Sequence, residues 1–111
     1  MSIVDHIAIL VEDLQISQEW YEKTCGARVI YSDYKHIRMT FDNVKIALID
    51  KKHYKYAHIG LYVHNYEDLP SDEGEMVQHR DGTTGCYVKD PDGNVVEFIH
   101  YSEKCKKEMK V

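Results

Sequence analysis

"HIGLYVHNYEDL", residues 58–69, repeats in outline the stretch "HIAILVEDL" at residues 6–14. Each opens on His-Ile and a small residue, runs through aliphatic or aromatic residues, and closes on Glu-Asp-Leu. A spacing of about fifty residues is the period of a duplicated supersecondary unit. Working outward from the first copy, "VDHIAILVED" is rich in β-branched residues and predicts a strand. Asp13 then stands as the N-cap of a helix beginning near Leu14, and Gly26 takes the C′ position that ends it. Within that helix Ile16 and Trp20 form an i,i+4 pair, with Ser17, Tyr21 and Cys25 in the adjacent row. This spacing predicts an apolar face. "RVIYSDY", "HIRMTF" and "VKIALID" follow as three short strands, the last two joined by a tight turn at Asp42-Asn43.

The order begins again in the second copy. "YAHIGLYV" predicts a strand, and "NYEDLPSDEGE" stands where the first half has its helix. "MVQHR", "TGCYVKD" and "NVVEFIHY" are three more strands, with the Asp92-Gly93 turn before the last. Pro70 and Gly74 leave room for a short helical turn at most. The expected fold is therefore α+β. It consists of paired βαβββ modules, 1–52 and 53–111, forming a curved mixed sheet within one domain of residues 1–111, with the second helix shortened.

The composition narrows the function. Charged residues are 30% and hydrophobic residues 43% of the 111, with a formal net charge of −5. An acidic chain lacks the basic face that a nucleic-acid partner requires. The basic run "KCKKEMK", residues 104–110, reads as a solvated helical tail rather than a binding arm. No apolar run approaches the length of a membrane span. Cys25, Cys86 and Cys105 are odd in number and form no CxxC, which fits a reducing compartment, so the cytoplasm is expected.

Strand parity sorts the polar residues. Ala57, Ile59, Leu61 and Val63 are uniformly apolar and are expected to pack under the helical layer. Tyr56, His58, Gly60 and Tyr62 point the other way. Ile7 and Ile9 match Ile59 and Leu61, which puts His6 on the face of His58. Val96 and Phe98 suit the core and turn Glu97 to that same face. Two imidazoles and a carboxylate form a first shell for a divalent metal that leaves positions open for water and substrate. Taken singly, each of these side chains has a more ordinary reading as a structural histidine or a solvated glutamate. The duplicated placement of the two histidines favours the metal.

"DHIAILVEDL", "WYEKTCG", "AHIGLYV" and above all "KDPDGNVVEFIHY", in their paired βαβββ order, resemble the vicinal oxygen chelate superfamily. That group contains glyoxalase I, fosfomycin-resistance proteins, bleomycin-resistance proteins and extradiol dioxygenases. The resemblance covers residue 3 to about residue 101. It implies that His6, His58 and Glu97 hold one divalent ion (Zn, Fe, Mn, Ni or Co). It also implies that two oxygens of a small, oxygen-rich substrate bind that ion. Isomerase, lyase, transferase and dioxygenase chemistry share this arrangement. The position of the fourth ligand of glyoxalase I falls on Ala47 or Ile46, neither of which binds metal. The length and ligand set are nearest the fosfomycin-resistance branch, although that branch has a threonine at Ala8 and a lysine at Val77. Tyr87 matches a tyrosine that faces substrate there. The resemblance further implies a homodimer, whose metal site lies within one chain or combines His6 of one chain with His58 and Glu97 of its partner.

Arg38, Tyr62 and Tyr87 are the candidate substrate-binding residues. Arg38 shares a predicted face with His36 and Thr40 and offers a fork for a carboxylate or phosphonate. The more ordinary reading of Arg38 is an exposed strand arginine. Tyr62 and Tyr87 offer hydroxyls to a bound oxygen. His79 is a candidate partner of a ligand, His100 has the wrong parity relative to Glu97, and His53 and His64 read as surface residues. P-loop, GxGxxG, HExxH and GxSxG patterns are absent from the sequence. The competing function is a small-molecule-binding or antibiotic-sequestering protein of the bleomycin-resistance kind, which needs no metal.

Overall fold

Strand β1 (Ile3–Val11) ends two residues before the expected helix cap, Asp13, in a computed structural model that describes residues 2–109. Asp13 Oδ1 accepts from the Ile16 amide at 2.9 Å and starts helix α1 (Leu14–Cys25). Gly26 ends the helix in the left-handed conformation at φ 70°, where a Cβ carries a steric penalty. Strands β2 (Arg28–Ser32), β3 (His36–Thr40) and β4 (Lys45–Asp50) follow. The second series is β5 (His58–Tyr62), a 3-10 turn (Tyr66–Asp68), β6 (Glu75–Gln78), β7 (Thr84–Lys89) and β8 (Val95–His100), then helix α2 (Glu103–Met109). No helix among the described residues is long and apolar enough to cross a membrane.

The chain divides into two compact units. One is His6–Ala57; the other comprises the described residues before His6 and after Ala57. In the first unit the strand order is β2-β3-β4-β1, parallel between β4 and β1 and antiparallel elsewhere. The second has the corresponding order, β6-β7-β8-β5, parallel only between β8 and β5. Each mixed sheet thus comes from one βαβββ repeat, with a three-residue 3-10 turn in place of the second helix.

Met39, Leu48, Ile37, Val11 and Ala27 form the buried core of the first unit. Leu14 and Tyr21 of α1 pack on that core, but Ile16 and Trp20 are 68% and 54% exposed. Of the expected apolar face, the i,i+4 pair is therefore on the outside, while Tyr21 of the adjacent row packs. The residues that pack are seven apart, two turns of helix. In the second unit Cys86 is fully buried, and its thiol donates to the Pro70 carbonyl at 3.3 Å. The segment after the 3-10 turn thus covers the back of β7. It does not cover β5, where Ile59 is 49% exposed, and Ile7 of β1 is exposed as well. Of these two expected core residues, Ile59 is open because the shortened second helix of its own unit supplies no layer above it. Burial, and then the charges of Asp72 and Glu73, push the Cys86 thiol above its ordinary range, which disfavours the reactive thiolate. The basic run is helical through Met109, and Cys105 within it is buried, its thiol donating to the Asp81 carbonyl at 3.0 Å. The tail is therefore docked at Cys105 rather than wholly solvated, while Lys104 beside it is exposed. Lys110 lies outside the described residues.

Candidate metal centre

In the second unit the sheet register aligns Gly60 of β5, Glu97 of β8 and Tyr87 of β7 across three strands. Paired residues in a sheet share a face, so His58, two residues before Gly60, lies on the face of Glu97. The His58 Nε2 to Glu97 Oε1 distance is 3.1 Å, with side chains only 7% and 3% exposed. Tyr87 presents its ring edge-on to His58, centroids 5.5 Å apart at 88°.

His79 belongs to a turn rather than to the strand predicted through "MVQHR". Its amide donates to the Thr83 carbonyl at 2.8 Å. This turn brings its Nε2 to 2.5 Å from Glu97 Oε2 and 3.4 Å from the Tyr87 hydroxyl. Glu97 thus has an imidazole at each oxygen. Gly85 makes the contact possible. A Cβ there would lie 2.1 Å from Glu97 Oε2 and 2.7 Å from His79 Nε2. Parity finds Gly85 on this face, but only the structure shows how close the approach is.

In the first unit His6 and Arg38 are 2% and 3% exposed. Arg38 is not the exposed strand arginine of the ordinary reading. Its Nη2 lies 3.1 Å from His6 Nδ1. A guanidinium only donates, so Nδ1 accepts and the ring proton sits on Nε2. Ala47 of β4 pairs with Arg38 on one side and Ala8 on the other. The small side chain of Ala47 lets the arginine cross β4 to reach His6. The alanine read as a missing fourth ligand is the space the arginine occupies.

Tyr62 is on the Glu97 face but toward its far end. Its ring stacks on buried Tyr101 at 5.9 Å, with Lys106 Nζ 5.9 Å from its centre. His36 stacks on Tyr31 at 5.1 Å and lies 3.6 Å from Asp33. His100 faces away from Glu97 and meets Tyr66 edge-on. His53 and His64 are exposed.

The His58–Glu97 pair fits a metal. Two donors bonded to one ion at about 2.1 Å, with an angle near 90–109°, lie about 3.0–3.4 Å apart. The observed 3.1 Å falls in that range, so an ion fits between the two donors without moving either side chain far. His6 also offers the right chemistry, although loading its Nδ1 requires Arg38 to release it.

A protein-family model described as the Glyoxalase/Bleomycin resistance protein/Dioxygenase superfamily matches residues 3–98. No curated protein matches the sequence. Among solved structures, methylmalonyl-CoA epimerase from Mycobacterium tuberculosis superposes with a TM-score of 0.73 at 15% identity, covering 94% of this chain and 91% of that one. A hypothetical protein from Bacillus halodurans gives 0.72 at 15% identity, covering 92% and 96%. A superfamily member from Vibrio splendidus gives 0.63 at 17% identity, covering 90% and 99%. At these identities the likeness is one of fold.

Proposed function

The chain belongs to the Glyoxalase/Bleomycin resistance protein/Dioxygenase superfamily, and from that premise we propose that it is a divalent-metal-dependent enzyme acting on a small, oxygen-rich molecule. The ligands are His6, His58 and Glu97, two imidazoles and a carboxylate with the chemistry to hold a metal ion. The observation that carries this reading is the buried His58–Glu97 pair, 3.1 Å apart on neighbouring strands. A bound Zn, Fe, Mn, Ni or Co ion supplies Lewis acidity to substrate oxygens at its open positions. Tyr87, beside His58, offers its hydroxyl to one of those oxygens. Arg38 gives up His6 when the site is loaded and turns its guanidinium to a substrate carboxylate or phosphonate. Tyr62 closes the end of the binding face. We take residues 1–111 as one glyoxalase-like domain working in the cytoplasm.

Metal analysis of protein purified from cells grown in mixed trace metals tests this reading. One ion per chain is expected. A folded His6→Ala/His58→Ala/Glu97→Ala variant should hold none; one ion per chain retained by that variant would remove the ligand assignment. A panel of epoxides, thiol–dicarbonyl adducts and catechols, with oxygen uptake recorded, then separates redox-neutral chemistry from oxygenation. Tight binding of a small molecule by metal-free protein, without turnover, would instead favour sequestration.

Arg38→Met should tighten metal binding about tenfold, because it removes both a like charge and a hydrogen bond worth about 1.5 kcal/mol from His6. The same variant should bind anionic substrates more weakly. Calorimetric titration measures both, and unchanged metal affinity would separate Arg38 from the site.

The same reading includes a homodimer. Its support is the exposed apolar side chains of the second unit, Ile3 at 57%, Val4 at 45% and Ile59 at 49%, since apolar surface of this kind favours association. Light scattering at micromolar concentration should give twice the chain mass, and Ile59→Asp should reduce it. A monomer in the unaltered protein would exclude the pairing.

A further inference from the structure

We infer that His79 is a positioning residue that makes Glu97 a one-oxygen ligand: Oε1 is left for the metal, while Oε2 stays with His79. This rests on the metal reading above. A carboxylate can bind an ion through one oxygen or through both, and the choice changes coordination number and affinity. Here the two oxygens are already distinguished. Oε1 faces His58 at 3.1 Å, and Oε2 faces His79 Nε2 at 2.5 Å. With Glu97 ionised, as a metal-binding carboxylate must be, the imidazole Nε2 carries the proton of that contact and donates it. Three features hold His79 in place. Its amide is tied to Thr83, and its carbonyl accepts from the Gly82 amide at 3.1 Å. The ring of Tyr87 meets it edge-on at 6.0 Å. Gly85 leaves the gap in which the imidazole and the carboxylate meet. A hydrogen-bond donor on the outer oxygen of a ligating carboxylate fixes its direction.

Cobalt(II) is the probe, because its visible absorption is strong in four- or five-coordinate sites and weak in six-coordinate ones. Wild-type protein, His79→Gln and His79→Ala are titrated with Co(II), with circular dichroism confirming that each is folded. The glutamine amide nitrogen reaches nearly the same point as imidazole Nε2. His79→Gln should therefore keep the wild-type spectrum and an affinity within about threefold. His79→Ala should still bind one ion, but with weaker absorption as Glu97 closes on the metal with both oxygens, and with affinity lowered about 10- to 100-fold. An alanine variant with wild-type spectrum and affinity overturns the inference. Loss of binding in both variants also overturns it, by making His79 a ligand.

Proton NMR supplies a second measurement that does not depend on cobalt. The His79 Nε2–H signal, assigned by its loss in His79→Gln, should persist when Zn(II) binds the wild type. Its disappearance on Zn(II) binding would show that Oε2 has passed to the metal. Wild-type protein that binds neither ion sinks the metal reading itself, a result distinct from any difference among the variants.

Discussion

Gly85→Ala is expected to cost the protein its metal while leaving it folded. The added methyl would lie 2.1 Å from Glu97 Oε2 and 2.7 Å from His79 Nε2, far inside van der Waals contact. Both atoms are the ends of side chains that can swing away, and Gly85 has no positive φ to forbid alanine. The strain therefore falls on the site. Glu97 must leave its place beside His58, and the imidazole of His79 must leave Glu97. Divalent-metal affinity should fall by about 100-fold or more, beyond the usual cost of losing one outer hydrogen bond. Stability should fall by only about 1–2 kcal/mol, the range for modest overpacking. Metal titration beside a thermal melt measures the two together. An affinity equal to wild type would mean that the binding carboxylate is not Glu97.

Gly74→Ala should do the reverse. A Cβ there would meet the Tyr87 carbonyl oxygen at 2.3 Å and Val88 Cγ2 at 2.8 Å. The nearer obstacle is backbone of β7, paired on both sides by β6 and β8, and it cannot rotate out of the way. The segment covering Cys86 must lift instead, exposing apolar surface. We expect a loss of about 3 kcal/mol, at the upper end of ordinary overpacking, and a melting temperature lower by on the order of 10 °C. Once folded, the variant should keep its metal affinity to within a few fold. A melt unchanged from wild type would show that the covering segment is loose at Gly74.

Features governed by local rules were legible in the sequence. The Asp13 cap, the Gly26 stop, the Asp92-Gly93 turn and the repeated strand order all follow from one residue's preference or from strand period. So did the placing of His58 and Glu97 on one face, because parity carries along a strand. What was not legible depends on what lies across the sheet. Ile59 has the pattern of a core residue, yet it is half exposed, and periodicity cannot count the layers above a strand. Ile16 and Trp20 satisfy helical spacing, but of the two expected rows only Tyr21 packs on the core, together with Leu14. Arg38 reads as a surface arginine until the register sets Ala47 beside it and gives it a path to His6. His79 was visible as a polar residue near a strand end, but its contact with Glu97 depends on a turn conformation and on the missing side chain of Gly85.

Strand β1 has one further consequence, for the timing of folding. Its first residues belong to the second compact unit, where Asp5 Oδ2 accepts from the buried Tyr101 hydroxyl at 2.8 Å, 96 positions along the chain. The first unit, His6–Ala57, is continuous in sequence and can assemble as soon as it is synthesised. The second must wait for Tyr101, roughly 5–20 s after Asp5 at common rates of about 5–20 residues per second. It must also close a long loop to gain that contact. During translation His6 and Arg38 can therefore reach their places well before His58 and Glu97 do. The half of the protein that carries the carboxylate is accordingly expected to become native last.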